Sequence, residues 1–194
     1  MELLIEEEKY TVEDFRKMQD DLDKRFFYGL INGQIIKRKP EYLNKVSQYH
    51  KVERKIYIAL MKYTIMRGLG DVFSSPVNVY FDSLNFYQPD IFFIYKDKIE
   101  TSLRGKGLGI IKPSLIVEVL SHNNGKYIRG IKKQIYELDG VQEYWIADLA
   151  NRVIEVYVLE NERFILHSYC LEKDKVISEL FKELDLSVEE IFAL

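Results

Sequence analysis

Cysteine is almost missing from this chain of 194 residues. Cys170 stands alone, which excludes an intrachain disulfide and points to a reducing compartment. A net basic field is missing too. The 28 Lys and Arg against 31 Asp and Glu give a formal net charge of -3, so no global field draws in a polyanion, although a local patch still could. No apolar run is long enough to cross a bilayer. No basic-then-apolar leader opens the chain, where Glu6, Glu7 and Glu8 form an acidic run instead. These absences lead one to expect a cytoplasmic protein with no membrane partner. No internal repeat, linker or low-complexity segment is visible, so one domain over 1–194 is expected.

What is there is an ordinary globular composition, 47% hydrophobic and 30% charged. Thr11-Val12-Glu13-Asp14 has the form of a capping box and predicts a short helix over about 11–18. Asn32-Gly33 between Phe27–Ile31 and Gln34–Lys39 predicts a hairpin. Val46, Tyr49, Val52, Ile56, Leu60 and Tyr63 recur at helical steps, ending before Gly68 and Gly70. Val72–Tyr80 reads as one strand, followed by a turn at Asp82-Ser83-Leu84-Asn85. Lys96–Lys112, with Gly105, Gly107 and Gly109, reads as a mobile loop. Ser121–Gly125 reads as a turn. Tyr127, Ile128, Ile131, Ile135 and Leu138 mark a helix that stops at Gly140. Strands follow over Glu143–Asp148, Val153–Leu159 and Phe164–Tyr169, the last two joined at Asn161-Glu162. Ser187-Val188-Glu189-Glu190 opens a terminal helix. The pattern predicts a mixed α/β fold with a central sheet flanked by helices, an N-terminal helix and hairpin, and a parallel crossover.

Two carboxylates stand out. Asp90 opens the apolar run Ile91-Phe92-Phe93-Ile94-Tyr95, and Glu118 sits inside Leu115-Ile116-Val117-Glu118-Val119-Leu120. Ionised carboxylates in buried strands are costly unless paired or bound to metal. Alternation puts Glu118 with Ile116 and Leu120, and Asp90 with Phe92 and Ile94. If the strands are neighbours, the two carboxylates meet and offer oxygen ligands suited to magnesium or manganese. Such an ion polarises a phosphoryl oxygen and activates water.

A helical wheel supplies a third group. With Ile128, Ile131, Ile135 and Leu138 as the buried stripe, Lys132 lies roughly 80° from its centre and Lys133 roughly opposite. Lys132 is therefore the lysine able to turn inward, with Arg129 and Tyr136 on the same flank. Lys133 reads as solvated.

Pro89-Asp90, Ile116-Val117-Glu118-Val119-Leu120-Ser121, Lys132 four residues before Tyr136, and Gly140-Val141-Gln142-Glu143-Tyr144-Trp145-Ile146-Ala147-Asp148 together resemble the Uma-two restriction-endonuclease family. That family lies within the PD-(D/E)XK nuclease superfamily. Tyr28-Gly29-Leu30-Ile31-Asn32-Gly33-Gln34-Ile35, His50 and Ser75-Pro76-Val77 agree with it. The resemblance runs from about Thr11 onward. It implies a restriction-endonuclease-like fold and magnesium-dependent hydrolysis of DNA phosphodiesters. Asp90 and Glu118 would be metal ligands, the Val119 carbonyl a backbone ligand, and Lys132 the catalytic lysine. Leu120 occupies the usual strand position of that lysine. Gly29 stands where the family often has an acidic residue, His122-Asn123-Asn124 replaces its Pro-Ser-Thr turn, and Ile128 replaces another frequent acid.

Bland readings stand beside these. Glu118 with Lys132 could be a structural ion pair, Asp90 a loop cap, His50 and His122 surface residues, and Glu53 part of a solvated face. Cys170 and Trp145 read as core. Basic residues cluster at Lys37-Arg38-Lys39, at Arg104, Lys106 and Lys112, and at Lys126, Arg129, Lys132 and Lys133, as phosphate contacts require, or as plain surface. Tyr42, Tyr49, Phe86 and Tyr87 look exposed and could serve a homodimer. A catalytically silent DNA-binding or assembly module is the alternative, as is a hydrolase of another phosphoester.

Overall fold

The computed structural model describes residues 8–38, 48–99, 112–120 and 125–193. Helix α1 spans Val12–Met18 and begins with the expected capping box. The Asp14 N–H donates to Thr11 Oγ1 at 3.1 Å, and the Thr11 N–H donates to Asp14 Oδ2 at 2.9 Å. Strands β1 (Phe27–Ile31) and β2 (Gln34–Arg38) form the expected hairpin. Its turn has φ of 51° at Asn32 and 82° at Gly33, the left-handed pair that matches strand twist. Helix α2 spans Gln48–Arg67 and buries Val52, Ile56, Leu60 and Thr64. It ends at Gly68, whose φ of 61° suits glycine.

The expected strand Val72–Tyr80 is in fact two strands in two sheets. Strand β3 is Gly70–Ser74 and β4 is Val79–Tyr80. Pro76 lies between them and has no N–H to give to a ladder. Val77, inside the expected strand, is 40% exposed. Strand β5 (Phe86–Tyr87) follows the turn at Asp82, whose Oδ1 accepts from the Leu84 N–H. Next come β6 (Ile91–Tyr95), β7 (Leu115–Leu120), β8 (Glu143–Asp148), β9 (Val153–Glu160) and β10 (Arg163–Cys170). Of the loop expected at 96–112, residues 96–99 form a helical turn instead, and 100–111 lie outside the described residues, as does the turn at 121–124.

Among the described residues the strands form two sheets, ordered β2-β1-β5-β4 and β10-β9-β8-β7-β6-β3. Strands β7 and β8 run parallel; the other neighbours run antiparallel. The crossover between β7 and β8 carries a π-helical turn, Tyr127–Lys132, which continues into helix α3, Lys133–Leu138. Helix α4, Val188–Phe192, closes the order with Ser187 as its N-cap.

Strand β7 is buried on both faces. Leu115, Val117 and Val119 pack with α2 and the C-terminal segment. Ile116 and Leu120 pack with Ile128 and Tyr136 on the other side. Apolar contact on both faces accounts for the unbroken hydrophobic run. Trp145 and Cys170 are core, as expected. Phe86 and Tyr87 are buried, at 0% and 4% exposure, and so are not a dimer surface. Tyr42 lies outside the described residues.

Candidate active site

The antiparallel register of β6 and β7 pairs Ile91 with Val117 and Phe92 with Ile116. One step further brings Asp90 level with Glu118. Val119, next to Glu118, donates its N–H to Asp90 Oδ2 at 2.7 Å. The sheet itself thus brings the two acids together at the end of the paired segment.

Lys132 reaches Glu118 from the crossover. Its Nζ lies 2.5 Å from Glu118 Oε1, and the Tyr136 hydroxyl donates to the same oxygen at 2.7 Å. The helix does not present the expected stripe. Ile131 is 50% exposed and Leu138 85%, while Ile128, Lys132 and Tyr136 are at 2% or less. The inward row is therefore i, i+4, i+8. A π turn, bonded i to i+5, holds more residues per turn than an α-helix, so a wheel drawn at 100° per residue misplaces the row. Lys132 was expected inward as a flank residue and stands at the centre of the buried face. Lys133, expected in solvent, is half-buried with its Nζ 3.6 Å from the Tyr157 ring centroid, and burial lowers its pKa.

The site holds more acidic groups than its one lysine can pair with. Burial pushes the Glu118 carboxyl up to about 7; Lys132 opposes the rise and Asp90 adds to it. Burial likewise raises Asp90, against Lys132, a hydrogen bond from Tyr49 and the Val119 N–H, while Glu53 adds to the rise. Glu53 is not on a solvated face: its side chain is 14% exposed, and its Oε2 lies 3.2 Å from His50 Nδ1. Burial raises its pKa as well.

Other buried acids are compensated differently. Burial works to raise Asp148, yet Arg129 and Asn151 hold it below the usual carboxylate range. Glu143 accepts from Trp145 Nε1, Ser178 Oγ and the N–H groups of Glu179 and Leu180. Those acids are tied into the fold, whereas Asp90 and Glu118 share one ammonium.

The donor set suits a hard divalent ion. Two carboxyl groups beside a strand carbonyl offer oxygen donors, and they outnumber the one lysine. Among the described residues, no three His, Cys, Asp or Glu side chains gather closely enough to hold an ion by themselves.

Other expected site residues fall elsewhere. Arg129 is bound to Asp148 at 2.7 Å and Glu155 at 2.5 Å. In the third basic cluster Arg129, Lys132 and Lys133 each have a partner within the fold, and Lys126 is exposed. His122, Arg104, Lys106 and Lys39 lie outside the described residues. Gly29 lines a narrow gap with Tyr28, Tyr87, Gln88, Tyr127 and Lys132, so the acidic position that the resemblance led one to expect borders the lysine. Tyr49, read as exposed, is a partner of Asp90. Its place on the buried stripe of α2 was the available signal.

The fold and the carboxylate–lysine centre define a restriction-endonuclease-like α/β protein. The model of the Uma2 family, described as "Putative restriction endonuclease", matches residues 12–189, and the chain belongs to that family. A crystal structure of "a putative nuclease belonging to DUF820" from Anabaena variabilis has the same fold. It superposes with a TM-score of 0.73 at 18% identity, over 94% of this chain and 97% of that one. No curated protein matches the sequence.

Proposed function

We propose that this protein is a metal-dependent endonuclease that hydrolyses DNA phosphodiester bonds. The observation that carries the reading is the buried contact of Lys132 with Glu118, level with Asp90. Asp90 and Glu118, with the Val119 carbonyl, would hold magnesium or manganese. A bound ion of that kind supplies Lewis acidity and a water of lowered pKa. The chain's own groups do the rest. Lys132 and Tyr136 favour the ionised form of Glu118 and fix its Oε1. Tyr49 and the Val119 N–H fix Asp90. The Lys132 ammonium is the cation positioned to meet charge developing on the phosphoryl oxygens. Cutting both strands would call for two copies.

Plasmid DNA with magnesium tests this. The parent should nick or linearise it, and Glu118→Gln, confirmed folded by circular dichroism, should not. Equal cutting by the variant would sink the assignment.

Gly29 favours a second reading, a silent DNA-binding module of the same fold, because it leaves the gap beside Lys132 without a carboxylate. Magnesium calorimetry separates the two. Binding that disappears in Asp90→Asn supports the nuclease; no binding by the parent supports the silent module.

A further inference from the structure

Three successive aromatic residues, Phe26, Phe27 and Tyr28, lead into and begin β1, all half-buried. They line a cleft of about 280 Å³ together with buried Phe15 and Phe86 and with Gln88. Ligand clefts run from about 300 to 1,000 Å³, so this one suits a single flat ring system. Gln88 and Asn78 supply polar groups to its lining. Gln88 Nε2 donates to Asn78 Oδ1 at 2.8 Å, but Gln88 Oε1 is buried and has no hydrogen-bond partner. A buried acceptor without a donor is costly, and a ligand donor would remove that cost.

Two lysines stand near the rim, with Asp23 beside Lys37. Lys24 lines the cleft and is exposed. Lys37 Nζ stands 3.9 Å from the Phe26 ring centroid. Arg25 is already tied to Asp23. The cleft also adjoins the site, since Tyr28 and Gln88 line both it and the gap beside Lys132.

We propose that this cleft takes one unpaired nucleobase of the substrate, stacked on the aromatic residues, with its amino group donating to Gln88 Oε1 and the flanking phosphates on Lys24 and Lys37. The inference rests on the nucleic-acid reading above and extends it to which nucleotide lies beside the centre. Aromatic platforms flanked by basic side chains bind unpaired bases with little sequence demand. A lone acceptor adds a preference, because adenine and cytosine present an exocyclic amino group and thymine does not. The target would be DNA that is single-stranded or has a base turned out of the stack.

Fluorescein-labelled oligo-dC, oligo-dA and oligo-dT of about 12 nucleotides, a length within the usual range of site sizes, test this by anisotropy in EDTA. Oligo-dC and oligo-dA should bind more tightly than oligo-dT. Phe26→Leu should weaken all three about tenfold, the loss of one stacking ring. Gln88→Met should bring oligo-dC and oligo-dA down to the oligo-dT level and leave oligo-dT unchanged. Magnesium affinity should not move in either variant. Parent-like binding by Gln88→Met, or no oligonucleotide binding by the parent, overturns the proposal, even if Phe26→Leu fails to fold. The nuclease reading fails separately: a parent that never cuts, yet binds with these dependences, keeps the cleft and loses the nuclease. A parent that cuts but shows no such dependence does the reverse.

Discussion

Lys132 Nζ lies 2.5 Å from Glu118 Oε1, and the two side chains are 2% and 1% exposed. A buried pair gains little over apolar packing while intact, but removing one partner leaves an uncompensated charge. Lys132→Met should therefore lower stability by about 3–5 kcal/mol and abolish metal-dependent cutting. Urea denaturation at neutral pH measures the first and plasmid nicking the second. An unchanged denaturation midpoint would show that the contact contributes nothing to the fold.

Glu143 gives the contrasting case. It is fully buried, yet four donors satisfy it, and two of them are backbone N–H groups of the segment after β10. Glu143→Ala should cost about 3 kcal/mol or more, since hydrogen bonds to a charged group are each worth about 1.5–3 kcal/mol. Limited proteolysis should then open the segment around Ser178. Magnesium affinity should stay at the parent value, because Glu143 acts in the fold and not at the centre. A loss of magnesium affinity would contradict that division.

Asp148 predicts the acid limb. Its folded pKa is depressed despite burial, through Arg129 and Asn151. A depressed carboxylate contributes stability above its unfolded pKa, near 3.9, and loses it as the pH falls through the folded value. Arg129→Met removes that contribution, so acid unfolding should begin at higher pH than in the parent. At neutral pH the loss should be about 1–2 kcal/mol, below that of a fully buried pair, since the Arg129 side chain is 38% exposed. Ellipticity followed from pH 7 downward checks the shift, and coincident curves would refute it.

Local chemistry made much of this architecture readable. The Thr11–Asp14 cap, the Asn32-Gly33 turn and the apolar run around Glu118 each depend on residues close in sequence. The register of two such runs was enough to bring Asp90 to Glu118. What stayed hidden depends on partners far along the chain. Strand β5 is two residues long, too short for alternation to register, and Pro76 interrupts a pattern that reads as continuous on either side. The π turn changes the period on which the wheel relied, so Tyr136 and Lys132 take the inward row from Ile131 and Leu138. Glu53 looks like any surface acid of a long helix until His50 and the site enclose it. Gln88 carries no sign in sequence that its carbonyl oxygen will be buried without a partner.

The lysine's place can itself be tested. Leu120 lies two residues after Glu118, on the same face of β7, and is 5% exposed within the cluster that holds Ile128 and Tyr136. Two residues along a strand is about 7 Å, within the reach of a lysine stem. If the centre needs an ammonium beside Glu118 regardless of its element, Leu120→Lys combined with Lys132→Met should cut DNA at least about tenfold faster than Lys132→Met alone, a modest part of what one preorganised charge supplies. Leu120→Lys by itself should be the least stable of the three, because it crowds two ammonium groups against Glu118 in a dry site. If the double variant stays as inactive as Lys132→Met, charge alone is insufficient. The helix geometry that sets Lys132 and Tyr136 on the same carboxylate oxygen would then be the requirement, and the π turn that creates it would become the next element to straighten by mutation.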